Sequence, residues 1–192
     1  MNALPIAFAL APDAAHVMDH YDRHTVRHLS SMAGYYVDQT AFDALLAAGD
    51  PVLYEVWGIE RPAVAGELIS GVTRLAAGQV GQEYFMTKGH FHAVLETGEI
   101  YYALRGQGLL VLETPEGECS VQPFDAGQVV YIPPRWAHRT INTGTGELRF
   151  FWVCPAHAGH DYGTIADHGF RQLVLESAGS PIIQANPRWS PR

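Results

Sequence analysis

From residue 51 onward the chain breaks into short runs of β-branched and aromatic residues, at 52–59, 67–75, 99–105, 108–113, 128–132 and 148–153. Turn chemistry separates them, at Arg105-Gly106, Pro115-Glu116-Gly117 and Asn142-Thr143-Gly144. Short, evenly spaced strands with no long helix between them exclude a doubly wound sheet and define an all-β, antiparallel sandwich or barrel. One convincing helix lies in the first third. Asp38 can accept hydrogen bonds from its first turn, residues 41–48 are rich in Ala and Leu, and Gly49 suits its end. With 192 residues, 47% hydrophobic and 17% charged, the chain has the apolar surface for one domain and not for two. We divide it into an N-terminal extension with one short helix (1–50), a core (51–155), and C-terminal strands with a Pro-rich tail (156–192). That tail is expected to lie across the core or across a partner subunit.

The charge balance narrows the partners. Twelve Lys and Arg face 20 Asp and Glu, a net charge of -8, and no basic run occurs, so neither nucleic acid nor an anionic membrane is expected as a partner. Cys119 and Cys154, the only two cysteines, stand far apart, which argues against both a disulfide scaffold and a thiolate zinc site. The apolar stretch 3–11 has no preceding positive charge and is broken by Pro5, so a soluble cytoplasmic protein is expected. His16, His20, His24 and His28 recur every four residues and would share one face of a helix. Their segment has few apolar anchors and no accompanying carboxylate pattern, so a solvated face is the expectation.

Chemistry concentrates in two stretches. In Gly89-His90-Phe91-His92, strand alternation sends His90 and His92 to one side and Phe91 to the other. Glu99 and Tyr101 then open the next strand, so three ligand-type side chains converge across one hairpin. An H-x-H pair alone is weak evidence; its context gives it weight. The second stretch runs from Gly127 through Pro133-Pro134-Arg135-Trp136-Ala137-His138 to Asn142, a tight turn followed by a histidine entering a strand.

Together these stretches resemble the paired motifs of the cupin superfamily, G-x5-H-x-H-x3,4-E-x6-G and G-x5-P-x-G-x2-H-x3-N. The resemblance implies a cupin jelly-roll barrel of two antiparallel sheets around one divalent metal, with His90, His92, Glu99 and His138 as ligands. Two departures stand out: the longer gap between His92 and Glu99, and Arg135 where the motif usually has Gly. Thr87-Lys88-Gly89-His90-Phe91-His92, Trp136-Ala137-His138-Arg139-Thr140 and Gly159-His160-Asp161-Tyr162-Gly163-Thr164 resemble the cupin-type glucose-6-phosphate isomerases of archaea and some bacteria. The likeness runs over about residues 27–189 and is densest at 85–169.

What this implies is specific. Three neutral imidazoles and one carboxylate leave a divalent ion with open positions; the resemblance favours Fe(II) or Mn(II), with Zn(II) and Ni(II) also suited to the donor set. Glucose 6-phosphate and fructose 6-phosphate would interconvert through a cis-enediol, with Glu99 carrying the proton, or by a metal-assisted hydride shift. Thr87, Lys88 and Gly89 would grip the phosphate together with Tyr54 and Thr73. Tyr101, His160 and Tyr162 would surround the sugar, with His160 serving as acid or base in ring opening and Asp161 either orienting it or capping a turn. Arg139 and Asn142 are expected to support the site or form turns, Phe91 and Trp136 to pack, and His157 and His168 to be structural. A homodimer is implied by analogy. A cupin Fe(II) dioxygenase and a non-catalytic metal and sugar binder are the competing readings; against the dioxygenase, Thr87-Lys88-Gly89 speaks for a phosphorylated substrate.

Overall fold

The computed structural model describes residues 5–11 and 17–191. Strand β1 (Arg23–His28) leads through a short 3-10 turn (Leu29–Met32) to α1 (Gln39–Ala48). Next come β2 (Val52–Ile59), β3 (Leu68–Leu75), β4 (Gln79–Val80), β5 (Glu83–Tyr84), β6 (Glu99–Arg105), β7 (Gly108–Glu113) and β8 (Cys119–Pro123). The chain continues with β9 (Val129–Ile132), β10 (Ala137–Asn142), β11 (Leu148–Pro155), α2 (Gly163–His168), β12 (Gln172–Ser177) and β13 (Ser180–Ala185). The result is a predominantly β, cupin-like fold with short peripheral helices. No described helix is long and apolar enough to cross a membrane.

The strand ladders, all antiparallel, form a six-stranded sheet in the order β1-β2-β3-β11-β6-β9, a three-stranded sheet β10-β7-β8 and a four-stranded sheet β13-β12-β5-β4. Two sheets were expected from the sequence, and the difference has a local cause. After β5 the chain runs antiparallel to β10 and meets it only at the bridges Met86↔Ile141 and His90↔His138. Four residue steps on one side oppose three on the other, so 87–89 is a bulge that interrupts the ladder joining the smaller sheets. Gly89, at φ 70°, supplies the left-handed residue this requires. The His90-Phe91-His92 segment, expected as a regular strand, is therefore held by isolated bridges, the second being Phe91↔Asp161.

The core is apolar and lies where the strands turn their alternate residues inward: Leu53, Leu75, Ala103, Leu110, Phe124, Leu148 and Phe150 are all buried. Phe91 packs within it and Trp136 against it. Helix α1 covers one side through Phe42, and Asp38 accepts a 2.9 Å hydrogen bond from the Ala41 N–H at its start.

The N-terminal extension contains more than the expected helix. Strand β1 extends the six-stranded sheet, pairing Arg23 with Gly58 and Arg27 with Tyr54. Residues four apart share a face in a strand as they do in a helix, and here that face is outward: His20, His24 and His28 are exposed. His24 stacks on Trp57 with ring centroids 4.6 Å apart and lies 3.2 Å from Glu55, while His28 bonds the Asp50 carbonyl. His16 lies outside the described residues.

At the other end, the tail lies across its own chain. The Arg188 guanidinium donates to the carbonyls of Tyr36 and Gly34, at 2.7 and 2.8 Å. Trp189 Nε1 donates to the buried Glu113 carboxylate at 2.7 Å.

Candidate metal centre and active site

Four side chains meet where the bulged segment crosses β10. His90 and His92 come from the segment, His138 from the second position of β10 directly opposite His90, and Glu99 from the first position of β6. One ligand atom from each lies within 4.8 Å of all the others. Glu99 Oε2 is 3.1 Å from His92 Nε2 and 3.0 Å from His138 Nε2. His92, Glu99 and His138 are only 5%, 5% and 2% exposed; His90 is half-buried, and its Nε2 is buried.

The hydrogen bonds behind the rings decide which nitrogen faces the centre. His92 Nδ1 lies 3.0 Å from the Thr97 carbonyl and 2.8 Å from Thr97 Oγ1, whose own proton goes to the Val94 carbonyl. A carbonyl can only accept, so Nδ1 carries the proton and Nε2 is the nitrogen that points inward. His138 Nδ1 makes a longer contact of the same kind, 3.4 Å to the Trp136 carbonyl. The Nε2 atoms of His90 and His138 are buried with no aligned hydrogen-bond partner among the described residues.

Protonation states follow the same pattern. Burial, reinforced by His138, His160 and His92, pushes the His90 pKa well below its ordinary value, so the ring is neutral. Burial pushes the Glu99 pKa up, but hydrogen bonds and charge from His138 and His92 outweigh it and bring the pKa to about 2. Inward-facing imidazole nitrogens around an ionised carboxylate form a donor set that fits a divalent transition ion.

The centre opens into a cavity of about 240 Å³. A larger one, about 440 Å³ beside Trp136, Val129 and Tyr131, is lined by no carboxylate, imidazole or cationic side chain, so the chemistry belongs to the smaller. Every substrate-binding and catalytic residue expected from the sequence lines the smaller cavity: Tyr54, Thr73, Thr87, Lys88, Gly89, Glu99, Tyr101, His160 and Tyr162. Tyr54 (β2), Thr73 (β3) and Tyr101 (β6) are buried in its wall. His160 and Tyr162 follow β11 and form an exposed rim, with stacked rings 5.6 Å apart and His90 tilted against both.

The supporting residues have visible tasks. The buried Arg139 guanidinium donates twice to the Lys88 carbonyl, at 3.2 and 2.7 Å, and lies 4.6 Å over the Phe170 ring, fixing the bulge from beneath. Asn142 donates to the carbonyls of Leu75 and Gly146 and accepts from the Gly144 N–H, closing the β10–β11 turn. Asp161 accepts from the N–H and hydroxyl of Thr164 and so caps α2. Of the two remaining histidines, His168 bonds Ser190 and His157 has a buried Nδ1; neither lines the cavity.

Sequence reasoning missed one wall. Arg23, Thr25 and Arg27, alternate residues of β1, also line the cavity. The signal was the two-residue alternation in Arg23-His24-Thr25-Val26-Arg27-His28, which the four-residue histidine spacing masked.

Fold and site together define a class: cupin-like β-proteins that gather three histidines and one carboxylate at the base of a polar cavity. Comparison with known proteins narrows it. The family model described as glucose-6-phosphate isomerase matches residues 26–188. The glucose-6-phosphate isomerase of Thermococcus litoralis is 47% identical over 167 residues, covering 87% of this chain and 88% of that protein. Those of Thermococcus gammatolerans and Pyrococcus furiosus are 50% and 48% identical, covering 88% and 87% of this chain and 88% of each relative. The chain belongs to the cupin-type glucose-6-phosphate isomerase family. A solved oxalate oxidase structure aligns at 15% identity over 61% of this chain and 58% of that one, with a TM-score of 0.49, too distant to bear on the chemistry.

Proposed function

We propose that the protein interconverts glucose 6-phosphate and fructose 6-phosphate, with His90, His92, Glu99 and His138 holding one divalent ion, Fe(II) or Mn(II) in preference to Zn(II) or Ni(II). The observation that carries this reading is the convergence of the four donors at the base of the polar cavity. When bound, the ion supplies Lewis acidity toward the adjacent oxygens of an open-chain sugar, which makes the C2 hydrogen more acidic.

In this reading Glu99 moves that hydrogen as a proton. It takes the proton from C2, the electron pair left behind forms the C1–C2 double bond, and O1 gains a proton. Return of a proton to C1 with loss of one from O2 gives the ketose. A carboxylate held near 2 is a weak base, and the geometry eases this: both histidine contacts fall on Oε2, so Glu99 meets the cluster through one oxygen. At the rim, burial lowers the His160 pKa more than the charge of Glu99 raises it, leaving a neutral imidazole that can accept a ring-hydroxyl proton as the sugar opens. Tyr101 and Tyr162 border the sugar.

The phosphate reaches the bulge. Thr87 Oγ1 accepts from the Thr140 N–H at 3.1 Å, which leaves its hydroxyl proton for an anion. The Gly89 N–H, the Lys88 ammonium, Tyr54 and Thr73 complete the grip. Around this site the strands close as a jelly-roll barrel in one cupin domain of a cytoplasmic protein. Two copies pair, a reading supported by the exposed row Ile100, Tyr102, Val129 and Tyr131 on the β6–β9 edge, where Val129 and Tyr131 are 60% and 61% exposed.

The test is fructose 6-phosphate turnover before and after chelation, under anaerobic conditions. Activity should vanish with the metal and return with Fe(II) or Mn(II); full activity of verified metal-free protein removes the quartet from the mechanism, and oxygen uptake linked to turnover points to a dioxygenase. In the opposite direction, deuterium at C2 of glucose 6-phosphate should wash into solvent. Complete retention in the product would replace the proton path through Glu99 by a hydride shift.

A further inference from the structure

We infer that Arg27 of β1 is a specificity-determining residue, which with Lys88 forms a two-cation clamp for the phosphoryl dianion of the substrate. The inference rests on the isomerase reading and adds to it a residue from a strand that the sequence did not disclose.

Register puts Arg27 on the cavity side. It pairs with Tyr54 across β1 and β2, lies two residues from Thr25 on the same face, and lines the cavity that Thr87, Lys88 and Gly89 also line. Its charge is uncompensated. Among the described residues Arg27 makes no ion pair and no side-chain hydrogen bond, in a chain where acids outnumber bases by 20 to 12. Two other arginines show what structural roles look like in this fold. Arg23, on the same face of β1, is matched by Glu60 at 2.6 Å, and Arg139 is anchored twice on the Lys88 carbonyl.

Lys88 is equally without a carboxylate partner among the described residues; its ammonium rests 5.4 Å over the Tyr35 ring. Arg27 and Lys88 line the same cavity, so two cations without carboxylate partners share its wall. Two half-buried like charges repel, and the arrangement is favourable only when an anion lies between them. A phosphate monoester dianion neutralises both, and the planar guanidinium can meet two of its oxygens at once. The same cavity presents the buried donor cluster, so the clamp also fixes which end of the sugar chain faces it.

The experiment compares metal-loaded wild type, Arg27→Gln and Arg27→Lys by calorimetry with inorganic phosphate and with sorbitol, and by steady-state kinetics with fructose 6-phosphate. Arg27→Gln should weaken phosphate binding and raise KM by roughly 10- to 100-fold, the loss expected for a charge-assisted hydrogen bond. Sorbitol binding should stay unchanged, kcat should stay within about threefold, and Arg27→Lys should recover part of the loss. Phosphate affinity within about twofold of wild type in a folded Arg27→Gln, or an equal loss of sorbitol binding, overturns the clamp. Wild type that binds phosphate through Arg27 but never turns over fructose 6-phosphate sinks the isomerase reading and leaves the clamp standing; active wild type whose phosphate binding ignores Arg27 does the reverse.

Discussion

The two ends of the cavity are built on different principles. At the donor end, His92, Glu99 and His138 are almost wholly buried, and Thr97 and the Trp136 carbonyl fix the imidazoles from behind. At the bulge end, Thr87 and Lys88 are half-exposed and the cations rest on a tyrosine ring and a strand edge. One end is set by geometry in a dry environment and the other by charge near water. Losses at the donor end should therefore appear in the chemical step, and losses at the bulge end in substrate affinity.

The largest effect is expected from His138→Ala, which removes a ligand near the start of β10. Metal content should fall and kcat/KM should drop by roughly 1000-fold or more, since the ion supplies several kcal/mol of charge stabilisation. Metal analysis beside the isomerase assay checks both; retained metal with full turnover would dissolve the distinction between the ends. Next comes Thr97→Val. It deletes one of two acceptors for His92 Nδ1–H and keeps the carbonyl, so metal affinity in a chelator competition should fall about tenfold, the low end for such supporting contacts. Excess Fe(II) should restore kcat.

At the bulge end, Thr87→Ala and Lys88→Ala should each raise KM for fructose 6-phosphate roughly tenfold while kcat moves little, because phosphate contacts are shared by ground and transition states. A drop in kcat with KM unchanged would mean that the bulge takes part in the chemical step.

What the sequence disclosed follows the same division. Strands rich in β-branched and aromatic residues, β2, β6 and β7, have the bounds that their apolar runs predict. Strand β8, Cys-Ser-Val-Gln-Pro, is too polar and partly exposed to carry that pattern. Strand β1 hides for a functional reason: its inward face meets a polar cavity, so Arg23, Thr25 and Arg27 stand where a core strand would carry apolar residues. The donor residues were legible because ligand types at fixed spacing are rare. Arg27 was not, because a lone cation in a polar strand reads as a solvated surface, and only the register with Tyr54 reveals its direction. The bulge at 87–89 escaped as well, since a glycine before H-x-H marks a close backbone approach without stating that the ladder gains a residue there.

The smallest effect tests a residue that belongs to the motif and to neither end. Arg135 stands where the superfamily pattern has Gly, and its φ of 72° shows why: this turn needs the left-handed region. Arg135 is exposed, with its guanidinium 2.7 Å from Glu116 and 3.6 Å from Glu96, and its N–H donates to the Leu95 carbonyl at 2.7 Å. Arg135→Gly relieves backbone strain and keeps the N–H bond, but it loses two exposed ion pairs and adds freedom to the unfolded chain, so the contributions oppose one another. Tm should shift by less than about 3 °C in a thermal melt, with KM, kcat and metal content unaltered. A large loss of metal would instead show that this turn positions His138 three residues later, and the donor end would then depend on an exposed loop as well as on its buried frame.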